Sequence, residues 1–253
     1  MPEAYVQRDQ PAGVPPLALT GERTLPDVPE ENYWFRRHLV VYEWIAARVV
    51  GLRVVDMACG EGYGADVLAR RAASVVGVDA NPEAHEHARL RYRQPNLRFE
   101  RNLVDRFGES CDAVAFLQTI EHVEDPGPVL DHLASLLSTG GTAYVSTPNV
   151  LTLAPAGAQR SGNPWHVREY RAQELEALCR AHFSRVELLA VYHARKLRTH
   201  ELALRAGWDA AHARLGVTER FYDWLVPAIS ARDFALRSGR LDRALDFLAI
   251  CRP

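Results

Sequence analysis

Cysteine is scarce and scattered in this 253-residue chain: Cys59, Cys111, Cys179 and Cys251 form no C-x-x-C pair. That spacing excludes a local thiolate metal knuckle and argues against a disulfide framework. Lysine is scarcer still, Lys196 being the only one among 30 basic residues. An arginine-dominated basic set reads as codon bias rather than as a recognition surface. Against 32 acidic residues the formal net charge is only −2. No broad field therefore draws the chain to nucleic acid or to an anionic membrane. No apolar run approaches the ~20 residues needed to span a bilayer, and the N-terminus carries no basic-then-apolar export signal. Internal repeats and low-complexity tracts are missing as well. What remains is the profile of a cytoplasmic globular protein with no nucleic-acid partner and no membrane span. Its length suits one α/β domain with decorations and an ample core.

The organised part of the chain begins late. Residues 1–30 hold six of the fifteen prolines and little periodic apolar content, so they read as a flexible or draped arm. The domain proper is expected over residues 31–253. In ENYWFRRHLVVYEWIAARV, the residues Trp34, Leu39, Val40, Trp44 and Ile45 stand at helical spacing. The next stretch, VVDMACGEGYGA, is the most informative in the sequence. An apolar run, Leu52–Met57, carries one acid, Asp56, and is followed by Gly60, Gly62 and Gly64 and then a helical segment. A strand ending in a glycine turn that feeds a helix presents backbone N–H groups at the carboxyl edge of a sheet. The pattern Asp-x-x-x-Gly-x-Gly-x-Gly differs from the nicotinamide fingerprint, in which the first glycine of G-x-G-x-x-G follows the strand directly. Asp79 closes a second apolar run, SVVGVDA, nineteen residues after Gly60, where an acid can hold a pair of ribose hydroxyls.

Strand-like and helix-like segments then alternate. Asn81-Pro82 reads as a helix N-cap followed by proline at the first helical position. Strands are expected over Leu97–Arg101, Asp112–Leu117 and Thr142–Thr147, with a helix over Pro128–Ser138. The fourth strand runs into QTIEHVEDPGPVL, and the fifth exits at Thr147-Pro148-Asn149. A connection rich in recognition-type residues, NPWHVREY, precedes a helix over Ala172–His182 and a strand over Arg185–His193. A last strand covers Leu245–Cys251. Residues 194–241 show helical patterning with the aromatics Trp208, Phe221, Tyr222 and Trp224, suiting a lid or a homodimer surface. Strand–helix alternation argues a doubly wound parallel sheet.

The two acid-and-glycine motifs resemble those of class I S-adenosylmethionine (SAM) dependent methyltransferases. That resemblance implies a seven-stranded Rossmann-like sheet of order 3-2-1-4-5-7-6 with strand seven antiparallel. It also implies an N-terminal helical cover and a helical insert before the last strand. SAM would be the cofactor and S-adenosylhomocysteine (SAH) the product. The cofactor contacts it implies are Tyr33, Arg37, His38, Asp56, Ala58, Gly60, Gly62, Asp79, Ala80, Asn102, Leu103 and Gln118, with Tyr42 as a further candidate. Arg37 or His38 would meet the amino-acid carboxylate of SAM, and Asn102 and Leu103 the adenine. A narrower likeness shows in LTGERTLPDVPEENYWFRRHLVVYEW, ACGEGYGAD, QTIEHVEDP, STPN, NPWHVREY and LDFLAICRP. These look like the actinobacterial methyltransferases assigned to methylglucose lipopolysaccharide synthesis. The implied acceptor is a hydroxyl of a glucose-type sugar or oligosaccharide in polysaccharide biosynthesis.

A sugar hydroxyl is barely acidic, so a base that takes its proton during attack on the methyl group should accelerate transfer. Histidine suits that role near neutral pH, and His122 and His166 stand at strand exits on the ligand edge. His122 is the favoured base, with Glu121 or Asp125 to orient or polarise it, and His166 either shares the role or binds acceptor hydroxyls. Asn149, Trp165, Arg168 and Tyr170 are the expected acceptor contacts. Glu121, His122, Glu124 and Asp125 are metal-ligand types, but magnesium usually draws carboxylates from more than one element, and no metal is expected. The competing readings are a SAM-dependent O-methyltransferase of a non-sugar small molecule, a non-catalytic SAM-binding protein and a nicotinamide oxidoreductase.

Overall fold

Strands that are apolar at every position, rather than at alternate ones, belong in a sheet covered on both faces. Residues 54–57, 75–78 and 113–117 are buried throughout, and they form the centre of the sheet. The computed structural model describes residues 4–5, 10–155, 157–205, 207–208 and 219–253. In chain order, the elements begin with a two-stranded ribbon, Ala4–Tyr5 (β1) and Leu17–Ala18 (β2), and the helix Asn32–Ala46 (α1). Arg53–Met57 (β3), Tyr63–Ala69 (α2), Ser74–Asp79 (β4), Pro82–Arg91 (α3) and Leu97–Arg101 (β5) follow. Next come Cys111–Leu117 (β6), Pro126–Leu136 (α4), Leu137–Pro148 (β7), the short Val150–Leu153 (α5), Ala172–His182 (α6) and Arg185–His193 (β8). Arg195–Arg205 (α7), Glu219–Ala228 (α8), Phe234–Arg237 (β9) and Asp246–Arg252 (β10) close the chain.

The main sheet has eight strands in the order β5-β4-β3-β6-β7-β10-β8-β9. Pairs from β5 to β7 are parallel, while β10 is antiparallel to both β7 and β8. Neighbouring residues on one strand point to opposite faces. Val54 therefore packs under α1 and α2 with Leu39, Ile45 and Leu68, while Val55 packs under α4 and α6 with Leu130, Leu133 and Leu175. Asn81 caps α3 as its sequence suggested, accepting from the N–H groups of Glu83 and Ala84.

Two expectations need correcting here. The sheet has eight strands, not seven, and the segment between β8 and β10 is not wholly helical. Phe234–Arg237 runs antiparallel to β8, pairing Phe234 with His193 and Ala235 with Tyr192. Four residues are too few to declare a period of two, so pairing with an open sheet edge made this strand rather than any local pattern. Residues 209–218 of the expected insert lie outside the described residues.

Arg37 is the second correction. Its guanidinium grips Asp246 at the head of β10 with two hydrogen bonds of 2.6 Å and reaches the Leu245 carbonyl at 2.7 Å. Both partners are almost fully buried, at 4% and 1% exposure. A buried carboxylate needs a cation of matching geometry, which the arginine fork supplies. Arg37 thus joins α1 to the sheet and is not among the residues lining the cavity beside the turn after β3. Tyr33, from the same turn, is also spent on structure, donating its hydroxyl to His193 Nε2 at 2.8 Å. Replacing Arg37 by Ala should cost about 3–5 kcal/mol in urea unfolding, because Asp246 is left buried and unpaired. SAM affinity of the folded fraction should be unchanged; an affinity loss at unaltered stability would return Arg37 to the cofactor site.

Candidate active site

The turn after β3 is built on left-handed backbone. Ala58, Gly60 and Gly62 all have positive φ, at 59°, 56° and 98°. Its glycines do different work. A Cβ on Gly62 would stand 2.8 Å from Ala88 Cβ, and one on Gly64 would stand 2.1 Å from the Tyr42 ring. Those two allow α2 to pack tightly against α3 and α1. A Cβ on Gly60 would meet no protein atom within 4 Å, because Gly60 borders a cavity. Asp79 secures the turn: one carboxylate oxygen accepts the Gly60 N–H at 2.7 Å and the other the Asn81 N–H at 2.8 Å. A carboxylate has about four acceptor positions, so two remain for a ligand.

The cavity has a volume of about 730 Å³, within the roughly 300–1,000 Å³ of small-molecule sites. Ala58, Gly60, Asp79, Ala80, Asn102 and Leu103 line one side. Gln118, Glu121, His122 and His166 line another, and His38 contributes from α1. These sequence candidates are brought together. Asp56 is not among the lining residues. It is fully buried beneath the turn, accepts from the Tyr42 hydroxyl at 3.2 Å, and is pushed up to about 8 by desolvation. It lies under the turn and outside the cavity lining, and Gly62 likewise serves packing. Burial drives His38 down to about 4. It is therefore held neutral at physiological pH where it lines the cavity.

The acceptor contacts proposed from the sequence fare differently. Asn149 is fully buried, donating to the Leu241 and Ala244 carbonyls and capping α5. Tyr170 is also fully buried, with the exposed Arg168 guanidinium 5.1 Å from its ring centre. Trp165 is 45% exposed and lies outside the cavity lining. None of the four lines the cavity. Asn149 and Tyr170 do meet at the carboxyl end of β7, bridged in parallel, but their side chains turn away from the cavity lining.

Sequence reasoning also missed a wall. Gly21, Glu22, Arg23 and Thr24 of the N-terminal arm line the cavity. Leu17, Leu25 and Val28 are buried beneath this segment. The Thr24 hydroxyl lies 3.3 Å from His38 Nδ1 and 3.4 Å from the Tyr63 hydroxyl. The arm has no helical or strand period, so only its family-like run LTGERTLP could have flagged it. Tyr63, inside the glycine motif, and Asn163, at the head of the recognition-type stretch NPWHVREY, line the cavity as well.

The cluster with chemical potential is Glu121, His122 and His166. Two of these residues lie on the short turn Ile120–His122 after β6. The loop carrying His166 is clamped to that turn, since the Glu121 carbonyl accepts the N–H groups of Val167 and Arg168. The two imidazoles meet edge to face at 5.2 Å. His122 Nδ1 lies 2.8 Å from the Trp165 carbonyl. A carbonyl only accepts, so Nδ1 carries the proton and Nε2 keeps a lone pair. Desolvation lowers the His122 pKa, with the neighbouring His166 acting in the same direction. Glu121 is 1% exposed, one of its oxygens has no partner, and burial pushes its carboxyl up to about 8. One donor atom from each of the three residues lies within 4.8 Å of the others. The donor types would suit a divalent ion, whereas Glu124 and Asp125 are exposed.

A glycine turn and an acid-tipped second strand at the carboxyl edge of a mostly parallel sheet define a Rossmann-like nucleotide site of the methyltransferase kind. A SAM-dependent methyltransferase from Thermotoga maritima shares the fold with a TM-score of 0.57 at 17% identity, over 88% of this chain and 95% of that one. Magnesium protoporphyrin IX methyltransferase from Synechocystis, holding SAH, gives 0.54 at 16% identity over 91% and 89%. The family model for the methyltransferase domain matches residues 30–207. A probable SAM-dependent methyltransferase of Mycolicibacterium smegmatis is 39% identical over 252 residues, spanning 94% of this chain and 96% of that protein. The chain belongs to the SAM-dependent methyltransferases. Its residues fit the cofactor: Gly60 leaves the main chain open, and Asp79 keeps free acceptor positions toward the same space. Asp79→Ala should weaken SAH binding at least tenfold by calorimetry through loss of charge-assisted acceptors. Gly62→Ala should instead lower thermal stability; unchanged affinity in the first variant would place the ribose elsewhere.

Proposed function

We propose that this methyltransferase modifies a hydroxyl of a glucose-type sugar or oligosaccharide, with His122 as the base. The observation that carries the reading is the state of His122: its Nδ1 is fixed on a carbonyl, its pKa is lowered, and it lines the same cavity as Gly60 and Asp79. Bound SAM supplies a methyl group on a positively charged sulfur. The chain must then hold the acceptor oxygen in line and take its proton, two tasks that positioning and a neutral imidazole perform. His122 Nε2 receives the hydroxyl proton as the oxygen attacks. Glu121 holds its own proton below about pH 8 and keeps negative charge away from the imidazole. Support for a sugar comes from the polar wall of Glu22, Arg23, Ser161 and Asn163, which can bond several hydroxyls, and from the narrower family likeness.

The pH dependence follows from the direction of the His122 shift. A lowered pKa keeps the base form populated as the pH falls, so the acid limb of kcat/KM should lie below 6.5, the ordinary histidine value. His122→Asn should reduce kcat by about 10²–10⁴-fold with SAH affinity unchanged. Glu121→Gln, which imitates the protonated acid, should remain active at pH 7, and chelators should leave the rate unaltered. Loss of activity in both of these last tests, with recovery on adding Mn²⁺ or Mg²⁺ to the native enzyme, would assign the cluster to a cation instead.

A further inference from the structure

Trp165 is exposed, lies outside the cavity, and yet makes two hydrogen bonds that matter to it. Its carbonyl receives the Nδ1 proton of His122 at 2.8 Å. Its indole Nε1 donates to the Thr20 carbonyl of the N-terminal arm at 3.0 Å. The backbone N–H of the same residue donates to Asn163 Oδ1 at 3.0 Å, and Asn163 Nδ2 faces His166 Nε2 at 3.1 Å. One residue therefore touches the arm on one side and the base on the other. The indole is 45% exposed, so about half of its surface is buried, and the bond to Thr20 adds a directional tie between the loop and the arm.

The arm needs such a tie because it crosses the cavity from one rim to the other. On the far side, the Pro15 carbonyl accepts from His87 Nδ1 at 2.7 Å, and Asp27 pairs with Arg91 at 3.1 Å, both partners lying on α3. The arm's buried apolar residues are Val14, Leu17, Leu25, Pro26 and Val28, and Thr24 adds its contacts with His38 and Tyr63. Segments held by few apolar contacts and a handful of hydrogen bonds open at low free-energy cost.

We propose that Trp165 is a positioning residue that couples closure of the N-terminal arm to the tautomer of His122. With the arm seated, the Thr20 carbonyl holds the indole, the indole fixes the 163–166 loop, and the Trp165 carbonyl keeps the proton on Nδ1 of His122. Nε2 then faces the cavity as an acceptor. With the arm released, the loop keeps its bonds to the Glu121 carbonyl and to Arg160, but the Trp165 peptide loses its indole tie and the imidazole exchanges between its two neutral tautomers, only one of which can take the acceptor proton. The groups facing His122 are the neighbouring Glu121, His166 from the loop and Glu22 from the arm. Seating the arm thus also brings a carboxylate toward the base. The enzyme is set for proton transfer only when the cavity is closed to water. The inference rests on His122 being the base.

The test uses the full chain with two substitutions. Trp165→Phe keeps a ring and the backbone carbonyl but removes the indole N–H, and Leu17→Ala loosens the arm away from the cavity. In histidine-labelled protein, ¹⁵N NMR should show His122 with a protonated Nδ1 and a bare Nε2 in the native enzyme. In both variants the two signals should shift toward the tautomer average, and amides 14–25 should exchange faster. Trp165→Phe should lower kcat roughly five- to tenfold, the worth of about one hydrogen bond, with little change in KM for SAM. The double variant should be no worse than the more affected single one, as members of one unit behave. Unaltered His122 signals in both variants would overturn the coupling. Shifted signals with an unchanged kcat would uphold it and overturn His122 as the base.

Discussion

Everything at this site depends on a short stretch of left-handed backbone at the end of β3. Positive φ at Ala58, Gly60 and Gly62 turns the chain sharply enough to leave the Gly60 main chain open to the cavity and still start α2 against the sheet. The turn is over-determined, as strained backbone must be. Asp79 ties it from the neighbouring strand through the Gly60 N–H, and Val78 through the Cys59 N–H. Gly62 and Gly64 permit contacts with α3 and α1 that no larger residue would allow. The carboxylate expected to meet a ribose therefore also shapes the turn, so cofactor binding and local rigidity are parts of one arrangement.

Around that turn the molecule separates its charges by task. Arg37 and Asp246 are matched, buried and far from the chemistry, locking the cover helix to the antiparallel end of the sheet. Asp56 and Glu121 are buried with one unpartnered oxygen each, and desolvation holds both as neutral acids near pH 7. His38 and His122 are shifted toward neutrality by the same cause. The cavity lining thus holds two imidazoles shifted toward neutrality alongside Arg23 of the arm. That shift comes from burial and not from net composition, which is close to balanced.

The sequence disclosed those parts of the fold that repeat a period or break one. Runs buried on both faces marked β3, β4 and β6, and the Asn81-Pro82 cap marked the start of α3. The alternating glycines and Asp79 located the left-handed turn that borders the cavity. Features set by distant partners stayed hidden. Nothing near Arg37 announces Asp246, 209 residues away, so a basic residue in a crowded turn passed for a ligand contact. β9 is a strand because β8 offers an edge, not because four residues alternate. Asn149, Tyr170 and Trp165 stand at the correct end of the sheet, but which way a loop side chain turns depends on packing that no spacing records. The arm carried no period at all, although it supplies a wall of the cavity.

Where the methyl group goes decides the function of this site. The most direct measurement incubates the enzyme with ¹³C-methyl-labelled SAM and glucose-type oligosaccharides and reads the product by heteronuclear NMR. A ¹³C methoxy signal correlated to a single sugar carbon, formed by the native enzyme and lost in His122→Asn, is the result predicted. Label on nitrogen or carbon, label on a non-sugar acceptor alone, or undiminished transfer by the variant would contradict it.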